Sequence, residues 1–492
     1  MKKKARIVLL FFNTLYASIY AFSFHLSPEW YPSTKSALNA QLATLKKQAQ
    51  ENYNASIKPG SVRAIIAPHA GISYSGIIAS SVYRLAAYGI RRVIILAPDH
   101  SGSLKGVAFP SFSRYQLPNG SLTLDGKCLR NLAQHNLFTP NNDIFQQEHA
   151  LEMQLPFIRY YIPHAQIVPL IIGSITCLQA DQITQHIAEC ITDHTLVVVS
   201  TDFIHYGKKF GFTPFEDNHQ LKIRALDSQL VQLIEKGECI PFEQFISQTN
   251  ATICGKNPIM VLLALLHNNA FGPLEPRLIA YATSAKNSDD DSVSYVGMLF
   301  TKEKLSSLPI ANQLTQQEKK GLSKEGHDIL NHLYDTNFDA TLLYPIKSFG
   351  VRQKRGAFAT LKKGNALRGC IGHIFSSKPI YQTIKDITRE AALHDPRFSP
   401  VTQKEISDLN LKLSILSPLH SIKTTKEIIL GKHGIILEYG NKSALFLPEV
   451  AKEMNWNLAE TLSQLSQKAG LPSDAWQKKG VTFKIFETAD IY

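Results

Sequence analysis

Val62-Arg-Ala-Ile-Ile-Ala-Pro-His69-Ala-Gly71 is an apolar, β-branched run that ends at a proline and delivers a histidine. It has two echoes. One is Arg92-Val-Ile-Ile-Leu-Ala-Pro-Asp-His100-Ser-Gly102, and the other is Leu196-Val-Val-Val-Ser-Thr-Asp202-Phe-Ile-His205-Tyr-Gly207. Continuous apolar runs of this length read as strands buried on both faces, the signature of a parallel sheet covered by helices. In open α/β sheets the ligand crevice lies beyond the carboxyl ends of the strands, so three such endings can converge on one site. A metal ion is the simplest thing that three of them would share.

Working outward, strands are expected at 62–67, 93–97, 167–172, 196–200, 278–283 and 293–300. Helices are expected at 36–54, 76–88, 147–161, 217–234 and 257–268. The alternation gives an α/β first module with a mixed sheet flanked by helices. Residues 303–313 are polar and lack apolar periodicity, which marks a linker. Beyond it, 314–492 mixes strands and helices without strict alternation, the pattern of a second, α+β domain.

At 492 residues, with 44% hydrophobic and 19% charged residues, the chain is too long for one core and is neither disordered nor polytopic. Lys2, Lys3, Lys4 and Arg6 precede an apolar run from Ile7 to Phe24, the layout of an export signal or an uncleaved inner-membrane anchor over residues 1–24. On that reading the chain is exported or periplasmic, or tethered to the membrane by this segment alone; the alternative is a cytoplasmic protein with an apolar start. The six cysteines form no CxxC pair, which excludes zinc-ribbon and iron–sulfur motifs. They read as buried thiols, with Cys177 and Cys190 the pair that an oxidising compartment would allow.

His69 and His100 are the leading metal ligands, because Pro68 and Pro98 end the ladder and project each imidazole from a strand terminus. Cys254 precedes a helix whose N-terminal dipole is expected to lower the thiol pKa, making it the third ligand. Asp202 and His205 follow a strand and suit a ligand, an orienting role or an acid/base pair. His149 and Glu152, three apart on one helical face, suit a supporting pair or a proton shuttle. The ligand set fits iron or copper, with zinc as a further option.

These segments, Pro68-His69-Ala-Gly, Pro98-Asp-His100, Glu148-His149-Ala-Leu-Glu152, Ser200-Thr-Asp202-Phe-Ile-His205-Tyr-Gly and Cys254-Gly, resemble the Memo family over about residues 60–302, so the first domain is set at 25–302. The resemblance implies the fold of class III extradiol (LigB-like) dioxygenases and metal binding by His69, His100 and Cys254, with Asp202 and His205 close by. Those dioxygenases use two histidines and a carboxylate; a thiolate is softer and favours copper, or iron of altered potential.

In the second module, Arg368-Gly369-Cys370-Ile371-Gly372 and Asp395-Pro-Arg397-Phe398 resemble an AMMECR domain. Two glycines beside Cys370 allow close backbone approach of a ligand, Arg368 offers a forked donor, and Cys370 is either a nucleophile or a small packed thiol. Arg352, Lys354, Arg355, Lys362, Lys363 and Arg368 make a basic span with Phe358 as its lone aromatic, so a nucleic-acid partner is not expected.

Together the modules resemble the B and A components of the AmmeMemoRadiSam system fused in one chain. That implies a separate radical S-adenosylmethionine (SAM) protein as partner and a small-molecule or protein substrate of unknown identity. Three functions follow: a metal-dependent redox or dioxygenase-like enzyme, a non-catalytic metal-binding scaffold, or a metal-dependent hydrolase with Asp202 as base.

Overall fold

The computed structural model describes residues 21–23, 26–53, 57–215, 219–285, 291–304, 314–335, 351 and 353–492. Most of the expected leader and of the expected linker lies outside them. Among the described residues, no helix is long and apolar enough to cross a membrane.

The first-module strands are β1 (Ala21–Ser23), β2 (Val62–Ala67), β3 (Arg92–Pro98), β4 (Val107–Phe109), β5 (Arg114–Leu117), β6 (Gly120–Thr123), β7 (Phe138–Pro140), β8 (Gln166–Ile172), β9 (Thr195–Ser200), β10 (His205–Tyr206), β11 (Glu275–Thr283) and β12 (Ser292–Thr301). Its helices are α1 (Lys35–Asn52), α2 (Ile72–Ala86), α3 (Gly126–Leu132), α4 (Asn142–Gln147), α5 (His149–Glu152), α6 (Leu155–Tyr161), α7 (Cys177–Ala188), α8 (His219–Lys236), α9 (Cys239–Thr249) and α10 (Lys256–His267). The main sheet runs β10-β12-β2-β9-β3-β8-β4-β7, with β11 paired to β12. Its centre, β2-β9-β3-β8, is parallel, and β12 joins β2 antiparallel. Every residue of β2 and β9 is buried, so the runs show no alternation, as a sheet covered on both faces requires.

Two expectations are corrected. The single helix expected at 147–161 is two short ones, α5 and α6, following the end of α4 at Gln147: Glu148 is extended (φ −92°, ψ 103°), and Pro in the first turn of α6 starts a new helix. The cysteines are also not simply buried thiols. Cys128 is bridged to Cys190, and Cys177 to Cys239, each pair 62 residues apart. The first bridge ties α3 to the end of α7 and the second ties the start of α7 to the start of α9, pairings that spacing along the chain does not reveal.

The second module contains α11 (Gln316–Asn331), β13 (Ala357–Lys363), β14 (Ala366–His373), α12 (Ile380–Leu393), β15 (Leu409–Leu416), β16 (His420–Ile422), β17 (Gly434–Tyr439), β18 (Lys442–Phe446), α13 (Val450–Glu453), α14 (Leu458–Lys468), β19 (Thr482–Phe486) and β20 (Thr488–Ile491). Its antiparallel sheets run β14-β13-β15-β20 and β16-β19-β17-β18. Helix α12 buries Ile380, Ile384, Ile387 and Ala391, a stripe at helical spacing, in a core shared with Ala357, Ala359 and Leu361 of β13 and Leu411 and Leu413 of β15. This is the expected α+β arrangement.

Candidate metal centre

Strands β2, β9 and β3 are adjacent and parallel, so their carboxyl ends share one rim. His69, Asp202 and His100 each lie two residues past the end of one of these strands. Cys254 arrives from the turn before α10, beside the end of β9. A side chain at Gly255 would put its Cβ 2.2 Å from the Thr201 Cβ, so only glycine lets this turn press against the strand end. The result is that a His69 ring nitrogen, a His100 ring nitrogen and the Cys254 sulfur lie within 4.8 Å of one another.

Hydrogen bonds fix which nitrogen each ring offers. The Ser200 hydroxyl donates to the Ala150 carbonyl at 2.7 Å and accepts from Gln154 Nε2 at 2.8 Å. Gln154 is itself oriented, with Nε2 also on the Pro68 carbonyl and Oε1 accepting from Tyr83. With its one proton committed, Ser200 can only accept from His69 Nδ1, 3.0 Å away. His69 Nε2 therefore carries the lone pair, and it lies 3.2 Å from Cys254 Sγ. His100 is held similarly: its Nδ1 is 2.8 Å from Glu148 Oε1, and its backbone N–H donates to Glu148 Oε2. Anchoring a ligand imidazole through its second nitrogen is how metal sites set tautomer and orientation.

Asp202 accepts the backbone N–H groups of His69 and Ala70, at 2.8 and 3.3 Å, and its own N–H donates to Cys254 Sγ at 3.1 Å. His205 Nδ1 is 2.9 Å from the Phe203 carbonyl and 3.0 Å from the Thr252 carbonyl. Both partners are acceptors, so Nδ1 carries the proton and Nε2 is basic. Asp202 thus orients the His69 turn, while His205 offers a proton acceptor.

Burial, reinforced by the positive potential of His149, His100 and His205, holds His69 well below the usual imidazole range, so it is a neutral donor. Burial raises Asp202, although His205 and the two N–H groups oppose it. For Glu148 burial also pushes upward, but hydrogen bonds and charge from His100 and the Ala150 N–H outweigh it and leave the carboxyl low. The expected depression of the Cys254 thiol is reversed: burial and then the Asp202 charge push it up, and the hydrogen bonds from Thr201 and the Asp202 N–H do not offset them.

The structure brings His69, His100, Cys254, Asp202 and His205 together, and it separates the roles of His149 and Glu152. The His149 ring stacks on His100 with centroids 4.5 Å apart and lies against Trp30 at 4.7 Å. Glu152 is engaged elsewhere: its Oε1 accepts from the Tyr31 hydroxyl and the Leu26 N–H, tying down the chain before α1. Sequence reasoning passed over Glu148, which is buried and bonds His100. The signal was its place directly before His149, but helical spacing points to Glu152 unless the break at 148 is foreseen. Gln154 and Ser200 were passed over too, since orienting residues carry no metal-ligand signature.

In the second module the motif is bound up internally. Arg368 forks onto Glu405 at 3.0 and 3.2 Å and also donates to the Ser399 and Pro400 carbonyls. A Cβ on Gly369 would meet the Ala391 carbonyl oxygen at 2.1 Å, and one on Gly372 would meet the Ala357 oxygen at 2.4 Å. The close approach expected for a ligand is made instead by α12 and β13. Cys370 is a free cysteine; its N–H donates to Asp395 Oδ2 at 2.8 Å, and its carbonyl accepts from Arg397 at 3.0 Å.

Residues 25–299 match the model of the Memo-like protein family, and 308–491 match that of AMMECR1. The chain is 33% identical over 290 residues to the memo-1 homolog of Caenorhabditis elegans, covering 55% of this chain and 80% of that one. It is 30% identical to human MEMO1, covering 55% and 94%. Among solved structures, an uncharacterised protein from Pyrococcus horikoshii is 29% identical, with 34% of this chain and 88% of that chain covered and a TM-score of 0.32. The chain belongs to the Memo-like family, with the LigB-like fold in its first module and an AMMECR1 domain as its second.

Proposed function

We propose that the first module is a metal-dependent, oxidoreductase-like enzyme whose His69, His100 and Cys254 hold one iron or copper ion at the sheet's rim. The observation that carries this reading is the convergence of two imidazole nitrogens and a sulfur, with the far nitrogen of each imidazole already engaged by Ser200 or Glu148. These donors suit either metal, and the thiol would bind as thiolate, releasing its proton. Such an ion supplies Lewis acidity and one-electron chemistry. The protein's own part is to keep His69 neutral, orient its turn through Asp202 and accept a proton at His205 Nε2. No substrate class is singled out by these residues.

Metal analysis with electronic and paramagnetic spectroscopy on the purified full chain tests this. Redox-active iron or copper at one equivalent, with an exchangeable ligand, is the expected result. A tightly caged Cu(I) ion favours the scaffold reading, and zinc alone favours a hydrolase, so either overturns the proposal. His100→Ala should remove the ion and leave the sheet folded, and Cys254→Ser should shift preference toward harder ions. Unchanged stoichiometry in His100→Ala overturns the ligand assignment.

We also infer that the chain works in an oxidising compartment. The basic, apolar start and the bridges Cys128–Cys190 and Cys177–Cys239 support this together. A radical SAM partner requires reducing conditions, so on this reading the fusion acts apart from one. Thiol titration of protein denatured without reductant should find two free thiols, Cys254 and Cys370; finding six overturns the inference.

A further inference from the structure

We propose a second cation site on the first module, built by His135, His186 and Glu189 and suited to a borderline divalent ion, zinc foremost. A ring nitrogen from each histidine and a Glu189 carboxylate oxygen lie within 4.8 Å of one another. None of the three belongs to the rim site, and none was singled out by sequence, because His135 lies 51 residues from His186 with no shared motif.

Two independent features place these donors. His186 occupies the last turn of α7 and Glu189 is its C-cap, where the carbonyl ends of the helix favour positive charge. His135 sits in the turn after α3, pinned by its N–H on the Leu132 carbonyl and by the Phe138 N–H on its own carbonyl. The Cys128–Cys190 bridge joins these two pieces directly, since Cys128 lies in α3 and Cys190 follows Glu189. The imidazoles are therefore held near each other by a covalent link as well as by packing. Their rings stack with centroids 3.4 Å apart and planes 18° from parallel, and the buried Phe138 ring stands edge-on to His186 at 6.2 Å.

Two imidazoles and a carboxylate match zinc's preferred donors, with bonds of about 2.0 to 2.2 Å and a fourth position left to water. Binding requires the stacked rings to tilt so that the ion enters both ring planes. That motion is open to these side chains, because His135 and His186 are half-buried and Glu189 is exposed. Without a thiolate the site discriminates against Cu(I), unlike the rim. The ion would tie the α3 turn to the end of α7 beside the disulfide.

The test is a titration of the metal-free, disulfide-intact full chain with zinc, and in parallel with Co(II) as a spectroscopic probe. Wild type should bind two equivalents, one of which carries a thiolate-to-cobalt charge-transfer band from Cys254. The double variant His135→Asn/His186→Asn should lose one equivalent and keep that band. Cys254→Ser should lose the band and keep the equivalent that depends on His135 and His186. If the double variant binds the same number of ions as wild type, the second site is overturned. Absence of the charge-transfer band in wild type with the second equivalent intact would instead count against the rim site.

Discussion

The rim of the main sheet and the strand carrying Arg368-Gly-Cys-Ile-Gly372 hold similar residue types, a free cysteine among basic side chains, and use them in opposite ways. At the rim, His69 and His100 are gripped through Nδ1 by Ser200 and Glu148, which leaves Nε2 and the Cys254 sulfur facing one another. On β14 the Arg368 fork is already consumed by Glu405 and two carbonyls, and Asp395 and Arg397 clasp the backbone of Cys370. The carboxylates differ in the same sense: burial raises Asp202, whereas the Arg397 hydrogen bond first, and then the Cys370 and Arg397 N–H groups, lower Asp395. Groups satisfied by their own chain stabilise it; groups held together against desolvation mark where local rules yield to function. This is why the proposed ion goes to the rim and not to the motif that looks most chemical in the sequence.

The largest effect expected to break the comparison comes from reducing the disulfides. Both lie in the first module, and each closes a loop between residues 62 apart. In the chain-entropy account a loop of that size is worth about 4 kcal/mol. Calorimetry of the full chain with and without reductant should lower the melting of the first module and leave the second unmoved, since each module has its own core. An equal drop in both would mean that the modules do not unfold separately.

Next in size is Gly369→Ala. Its Cβ would lie 2.1 Å from the Ala391 carbonyl oxygen of α12, a backbone atom that cannot swing aside. Moving the helix costs about 3 kcal/mol by analogy with overpacked cores. The second module should melt lower while metal content stays at the wild-type value. A fully stable variant would return Gly369 to a ligand-approach role.

Asp395→Asn should destabilise the second module by about 2 kcal/mol at neutral pH, the scale of hydrogen bonds to a charged group. The sign with pH follows from the depressed folded pKa. The stabilisation is fully present above the unfolded aspartate value of about 3.9 and is lost as pH falls below it. Wild type and variant should therefore converge in acid. A difference in melting that persists unchanged to low pH would show that packing, not charge, is what Asp395 contributes.

Strand ends were legible because β-branched runs and Pro68 or Pro98 are local signals: β2 spans the residues its apolar run predicts, and His69 and His100 project where proline stops the ladder. What could not be read were features set by distant partners. Cys128 finds Cys190 only once α3 lies beside α7. Glu148 also caps α5 locally, but its pairing with His100, 48 residues away, is invisible in the chain. The Cys254 thiol was assigned the wrong direction because a helix terminus is visible in sequence, whereas burial beside Asp202 is not.

The smallest effect separates two carboxylates four residues apart. Glu148→Gln keeps the shape and one acceptor oxygen but removes the charge that His100 leans on. Loss of such a supporting carboxylate lowers metal affinity by about tenfold or somewhat more. Glu152→Gln should leave affinity unchanged, because that carboxylate serves Tyr31 and the Leu26 N–H. Its effect should be a lower melting temperature and a chain before α1 that is cleaved more readily by protease. Competition titrations against a chelator measure the first, and limited proteolysis the second. The reverse assignment, with Glu152→Gln weakening metal binding and Glu148→Gln silent, would restore the helical-face reading and remove Glu148 from the support of the rim.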